Sequence, residues 1–136
     1  MLVTYTPADG DEQRWEFHAG EVLAADAEAI ERAFADTWDS WVMAVLKGGM
    51  RARRVLVWHL IKTQHPSLLF ADTPNFRVDE VKVEYDRDEL QKIRDSVAEE
   101  RKLDAATREQ VLSWLDNQLA KAPEGSGGKA RSKSKA

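Results

Sequence analysis

Apolar positions are densest between Val55 and Ile61, where six of seven residues are apolar and only His59 interrupts. Periodicity alone does not separate a buried strand from a buried helix in so short a run. The flanks do. Met50, Arg51, Ala52, Arg53 and Arg54 lead into it with adequate helix propensity, and Lys62 to His65 continue it without a turn signal. Pro66 closes it by driving its predecessor out of the helical region. The pattern predicts a central helix over Met50–His65. Val55, Leu56, Val57, Trp58, Leu60 and Ile61 cover most of its circumference, so it must be enclosed on several sides.

Upstream, the period changes twice. Leu2–Thr6 and Gln13–His18 alternate, with Val3, Tyr5, Trp15 and Phe17 on one side, and read as two strands. The Pro7–Glu12 cluster between them contains Asp9-Gly10, a hairpin signal in which glycine is expected to take positive φ. Helical spacing then begins. Asp26 is the expected N-cap of a short helix over 27–35 with Ile30 and Phe34 on its inner face. Asp36 or Thr37 caps the next, about Trp38–Lys47, whose buried stripe is Trp38, Trp41, Val42, Val45 and Leu46. Gly48-Gly49 ends it and turns the chain into the central helix as an αα-hairpin.

Downstream, Ser67–Thr73 is a loop whose Leu68, Leu69 and Phe70 are expected to tuck onto the core. Val81, Val83 and Tyr85 alternate with Lys82 and Glu84, predicting a strand at about 80–85 that joins the hairpin as a third member. Arg87–Lys121 is helical by propensity. Leu90, Ile93 and Val97 form one stripe; Val111, Leu112, Leu115 and Leu119 form another, with Trp114 beside it. Two readings stand here: two helices separated at Leu103-Asp104 with Asp104 capping the second, or one long helix. From Pro123 the chain is polar and rich in Gly, Ser and Lys, and residues 122–136 are expected to form a disordered basic tail.

The predicted fold class is α+β. A small antiparallel sheet packs on a helical bundle in a core domain over residues 1–86, and a helical C-terminal extension follows over 87–121. A chain of 136 residues is long enough for one such core. Charge refines this picture. The net charge is −4, but residues 122–136 hold four cations (Lys129, Arg131, Lys133, Lys135) against Glu124, so residues 1–121 carry −7. An acidic body argues against nucleic-acid binding. No apolar run reaches the ~18 residues of a membrane span, and the start lacks the basic and apolar regions of a signal peptide, so neither is expected.

Candidate chemistry is sparse. There is no cysteine, so disulfides and thiolate metal sites are excluded. His18, His59 and His65 do not pair at helical spacing, and His59 reads as a core or edge residue. Asp9 and Asp11 lack the remaining ligands of a calcium loop and read as turn residues. No nucleophile elbow or phosphate-binding glycine loop is present, so neither catalysis nor a cofactor is expected. Two features stand out instead. Five tryptophans are present, and Trp114 lies on a weakly apolar helix where it can anchor a partner. Arg51, Arg53 and Arg54 cluster at a helix start, where positive charge opposes the dipole, which points to a partner or an acidic neighbour.

Several of these features occur in a recognisable order: the hairpin with Trp15-Glu16-Phe17, then Ala29-Ile30-Glu31-Arg32 before a Trp-rich helix. Gly48-Gly49-Met50-Arg51-Ala52-Arg53-Arg54 follows, leading into Val57-Trp58 and a Pro66…Phe70…Asp72 exit. The series, over about residues 1–86, resembles the small tail assembly chaperones of long-tailed, siphovirus-type bacteriophages and prophages of actinobacteria. The resemblance implies a non-enzymatic protein of the host cytoplasm, absent from the mature virion. Such a protein binds the tape measure protein, keeps it soluble and helps recruit tail tube subunits. Many members also exist in a longer, frameshifted form. No catalytic residues carry over. The expected contact residues are Leu112, Trp114, Leu115 and Leu119, with Arg51, Arg53 and Arg54 as a second group. A homo-oligomer, as ring or open stack, is compatible. The alternative is a small DNA-binding or regulatory protein using the arginine cluster and the Lys-rich tail; a small hydrolase or transferase and a structural tail or head-completion protein are further readings.

Overall fold

Two strands open the chain, β1 (Leu2–Tyr5) and β2 (Gln13–Glu16), paired antiparallel with Val3 opposite Trp15 and Tyr5 opposite Gln13. The structure, a computed structural model, describes residues 1–122. The period-two pattern places Val3 and Tyr5 inward, and both are buried. The connection from Thr6 to Glu12 is longer than a tight glycine turn, and Gly10 does not take positive φ. A Cβ on Gly10 would lie 3.0 Å from Pro7 Cγ, so the glycine answers the close approach of the proline ring. β3 (Val81–Glu84) takes the other edge of β1, giving the order β2-β1-β3. Thr6 N–H donates to Glu80 O at 2.8 Å where the end of β1 meets the start of β3.

Helix α1 (Ala24–Phe34) begins earlier than its sequence signal. Leu23, in extended conformation and without a side-chain cap, holds the N-cap position that Asp26 was expected to fill. Asp26 lies inside the first turn, where its charge still favours the dipole. Helix α2 (Trp38–Lys47) matches its predicted span, and Thr37 Oγ1 accepts from Ser40 N–H at 3.2 Å as its cap. Gly48 (φ 92°) ends it: Gly48 N–H donates to Val45 O at 3.1 Å and Gly49 N–H to Ala44 O at 2.8 Å. This pair of bonds is a Schellman motif, which requires left-handed backbone at the first glycine.

Helix α3 (Met50–Lys62) is the centre of the first unit, and α1 and α2 both pack on it. Val55, Leu56 and Val57 are consecutive and all fully buried, which only a helix enclosed on several sides permits. Beside them Trp41 Nε1–H donates to Ala52 O at 3.0 Å, and Phe17 meets the Trp41 ring edge-on at 5.9 Å. The helix stops three residues short of the predicted His65. Thr63 N–H bonds to Leu60 O and Gln64 N–H to Ile61 O, so the last turn tightens before the proline is reached.

The chain divides into two units, Leu2–Val83 and the segment from Glu84 onward, with which Met1 associates. The second unit is an antiparallel helical hairpin of α4 (Arg87–Glu99) and α5 (Ala105–Lys121). Asp86 caps α4 through a reciprocal box with Glu89. Asp104 Oδ1 accepts from Thr107 N–H at 2.7 Å and starts α5, so the two-helix reading describes this segment. Leu90, Val97, Val111 and Leu115 are buried. The architecture is α+β, five α-helices and a small three-stranded sheet among the described residues. The expected disordered basic tail lies outside the described residues except for Ala122.

Candidate interaction surface

The helix-start arginines find their partners in backbone carbonyls. Arg51 Nη2 donates to Ala33 O at 2.6 Å, in the last turn of α1. Arg53 donates from Nε and Nη2 to Val45 O at 3.3 and 3.2 Å, in the last turn of α2. Arg54 Nη2 donates to Thr73 O at 2.9 Å, in the loop that leads to β3. Carbonyls at helix C-termini carry partial negative charge and lack intrahelical donors. The unfavourable placement at the start of α3 is thus offset by the ends of α1 and α2. The acidic neighbour that the sequence pointed to is two helix termini rather than a set of carboxylates. Among the described residues none of these three arginines is in an ion pair.

Two of them do more than bond carbonyls. The guanidinium carbons of Arg51 and Arg54 lie 5.3 and 4.9 Å from the centroid of Phe70. Phe70 meets Trp58 edge-on at 5.9 Å, Trp58 Nε1–H donates to Leu68 O at 3.0 Å, and Lys62 Nζ lies 4.6 Å from the Trp58 ring centroid. Positions 51, 54, 58 and 62 follow helical spacing, so the cations and the indole form one stripe along α3. The Leu68-Leu69-Phe70 segment is not wholly tucked in: Leu68 and Phe70 are half-buried, while Leu69 is 65% exposed. In the extended and 3₁₀ backbone there, adjacent side chains cannot all face one core.

The C-terminal candidates separate. Leu115 is fully buried and is therefore a core residue, not an exposed anchor. Leu112, Trp114 and Leu119 are half-buried on α5. Leu23 and Val78, at 73% and 70% exposure, are further large apolar side chains on the surface. Sequence patterning expected Leu69 and Phe70 on the core, which the exposure of Leu69 corrects, and did not single out Lys62. Exposure of a leucine inside an apolar triplet has no sequence signature, but the spacing of Lys62 from Trp58, Arg54 and Arg51 does.

His59 is half-buried, with its ring edge-on to Phe17 at 5.7 Å. Burial pushes its pKa below the ordinary histidine value; Asp26 pulls it back up and Lys62 adds to the lowering. Among the described residues no group of three or more His, Asp or Glu side chains is placed to hold a metal ion. No described helix is long and apolar enough to cross a membrane. The chain matches no protein-family model, no curated protein and no solved structure.

Proposed function

We propose that this chain is a tail assembly chaperone of a long-tailed bacteriophage or prophage, binding the tape measure protein and helping to recruit tail tube subunits. One observation carries the choice of a protein-binding role over a DNA-binding one. Arg51, Arg53 and Arg54, on which the DNA reading depends together with the Lys-rich tail, are engaged with Ala33, Val45 and Thr73 carbonyls. Large apolar side chains meanwhile stand at the surface at Leu23, Leu69 and Val78. Apolar anchors in a charged surround suit a partner that exposes apolar helical faces before it assembles. The order of sequence features over about residues 1–86 supplies the identity of that partner.

Co-expression with the tape measure protein of the same gene cluster tests the reading. The expected outcome is a soluble complex of the two chains, free of nucleic acid, where the tape measure protein expressed alone is insoluble. An insoluble tape measure protein in both cases overturns it. Salt-sensitive retention of duplex DNA by this chain instead would favour the regulatory alternative.

A further inference from the structure

We propose that Ser67–Thr73 is a strap that lifts off α3 as a unit while the rest of the first unit stays folded, uncovering Trp58 and Arg54. This goes beyond the proposed function and stands or falls apart from it. Residues 63–80 connect α3 to β3 with two 3₁₀ turns, Phe70–Asp72 and Val78–Glu80, as their regular structure. A connection of that length inside a small core is uncommon and is usually a moving or binding element. Apolar burial does not hold the strap. From residue 63 to residue 80 the one buried side chain is Thr73, while Leu68 and Phe70 are half-buried and Leu69 is 65% exposed.

Backbone pairing does not hold it either. Its backbone bonds are local: Leu68 N–H donates to His65 O at 2.9 Å, Asp72 N–H to Leu69 O at 2.9 Å and Thr73 N–H to Phe70 O at 3.0 Å. Three side-chain contacts join it to α3. Trp58 Nε1–H donates to Leu68 O, Arg54 Nη2 donates to Thr73 O, and the Phe70 ring lies against Trp58, Arg51 and Arg54. Closure also carries a penalty. Arg54 Nε and Thr73 Oγ1 are buried with no hydrogen-bond partner, and opening returns both to water. The ends suit a hinged segment: exposed prolines flank it at Pro66 and Pro74, and beyond it Phe76 is held on Tyr5 at 5.7 Å. A segment with few buried apolar contacts and no long-range backbone pairing opens at a fraction of the free energy of global unfolding. Trp58, 7% exposed beneath the strap, is thus accessible in the open form alone.

Hydrogen exchange of two indole protons in the full chain, followed by NMR, tests this. Trp58 Nε1–H is held by the strap; Trp41 Nε1–H is held by Ala52 O inside the core, with its ring 1% exposed. The Trp58 indole should exchange roughly a hundredfold or more faster than that of Trp41. Low urea should barely alter the Trp58 rate, because lifting the strap exposes little surface, and should raise the Trp41 rate steeply. Phe70→Ala should quicken Trp58 by roughly fivefold or more and leave Trp41 unchanged, which also shows that the variant folds. Equal exchange of the two indoles, or equal urea dependence, would overturn the proposal, because the opening is then global. Amides of residues 56–60 as fast as the Trp58 indole would also overturn it, because the event is then fraying of α3. So would Phe70→Ala if it quickens neither indole, or both alike: Phe70 is then no clamp in the first case and part of the core in the second.

Discussion

The two units of this chain hold themselves together in different ways. The first, Leu2–Val83, is built inward: Val3, Ile30, Trp41, Val45, Val55, Leu56 and Val57 are each almost wholly removed from water. The helical hairpin from Glu84 onward buries Leu90, Val97, Val111 and Leu115. Around them it adds two helix-start caps, the Asp86–Glu89 box and Asp104, and a cross-helix Arg94–Asp116 pair at 2.6 Å. Burial is worth more per residue than exposed charge pairing. The hairpin should therefore be the unit more sensitive to its caps, and the first unit the one more sensitive to its core.

The largest effect that would break this contrast is at Trp41. Trp41→Ala removes a ring that is 1% exposed, together with its bond to Ala52 O, and should cost about 3–5 kcal/mol by chemical denaturation followed on first-unit amides. A loss below about 1 kcal/mol would mean the first unit is not held by its core. Leu115→Ala should cost about 2–4 kcal/mol, read on the amides of α4 and α5. A smaller loss there than at Trp41 sharpens the contrast; an equal one removes it.

Acidity separates the units next. Burial lowers the His59 pKa, so between that lowered value and the ordinary value near 6.5 the unfolded chain binds more protons than the folded one. The stability held by neutral His59 is complete above about pH 6.5 and is lost as pH falls through the lowered value. His59→Gln should flatten this part of the pH–stability curve of the first unit, measured by thermal melts from neutral to mildly acid pH. An unchanged slope would show that the imidazole is not the group responsible. The smallest effect expected is at Asp104, whose carboxyl is held below its usual pKa by the Thr107 backbone and side-chain bonds. Asp104→Ala should speed amide exchange at residues 105–108 and leave the first unit unchanged. If exchange there does not quicken, the cap does not hold the start of α5.

Much of this fold was legible because its signals are local. Trp38–Lys47 has Thr37 at one end and paired glycines at the other, and both ends form where those residues stand. The third strand follows from the alternation of Val81 and Val83, and Asp104 marks the start of α5. Signals failed where the deciding partner is distant or is backbone. Asp26 is a good cap by type, but α1 starts before it, at Ala24. Leu115 belongs to the same apolar stripe as Leu112 and Leu119, and the stripe does not say which of the three is covered. Arg51, Arg53 and Arg54 were noticed as a cluster, yet no residue type at positions 33, 45 or 73 announces that its carbonyl accepts a guanidinium.

The same device recurs in the hairpin, where Arg87 donates to Ala122 O and Arg108 to Leu103 O. A carbonyl is identical whatever side chain its residue carries. These tethers constrain the arginine alone and leave the accepting positions free to drift through any residue that keeps the local backbone path. Related chains should therefore preserve the arginines while varying opposite them. Pairwise covariation, which finds ion pairs because both partners must change together, would pass over these tethers.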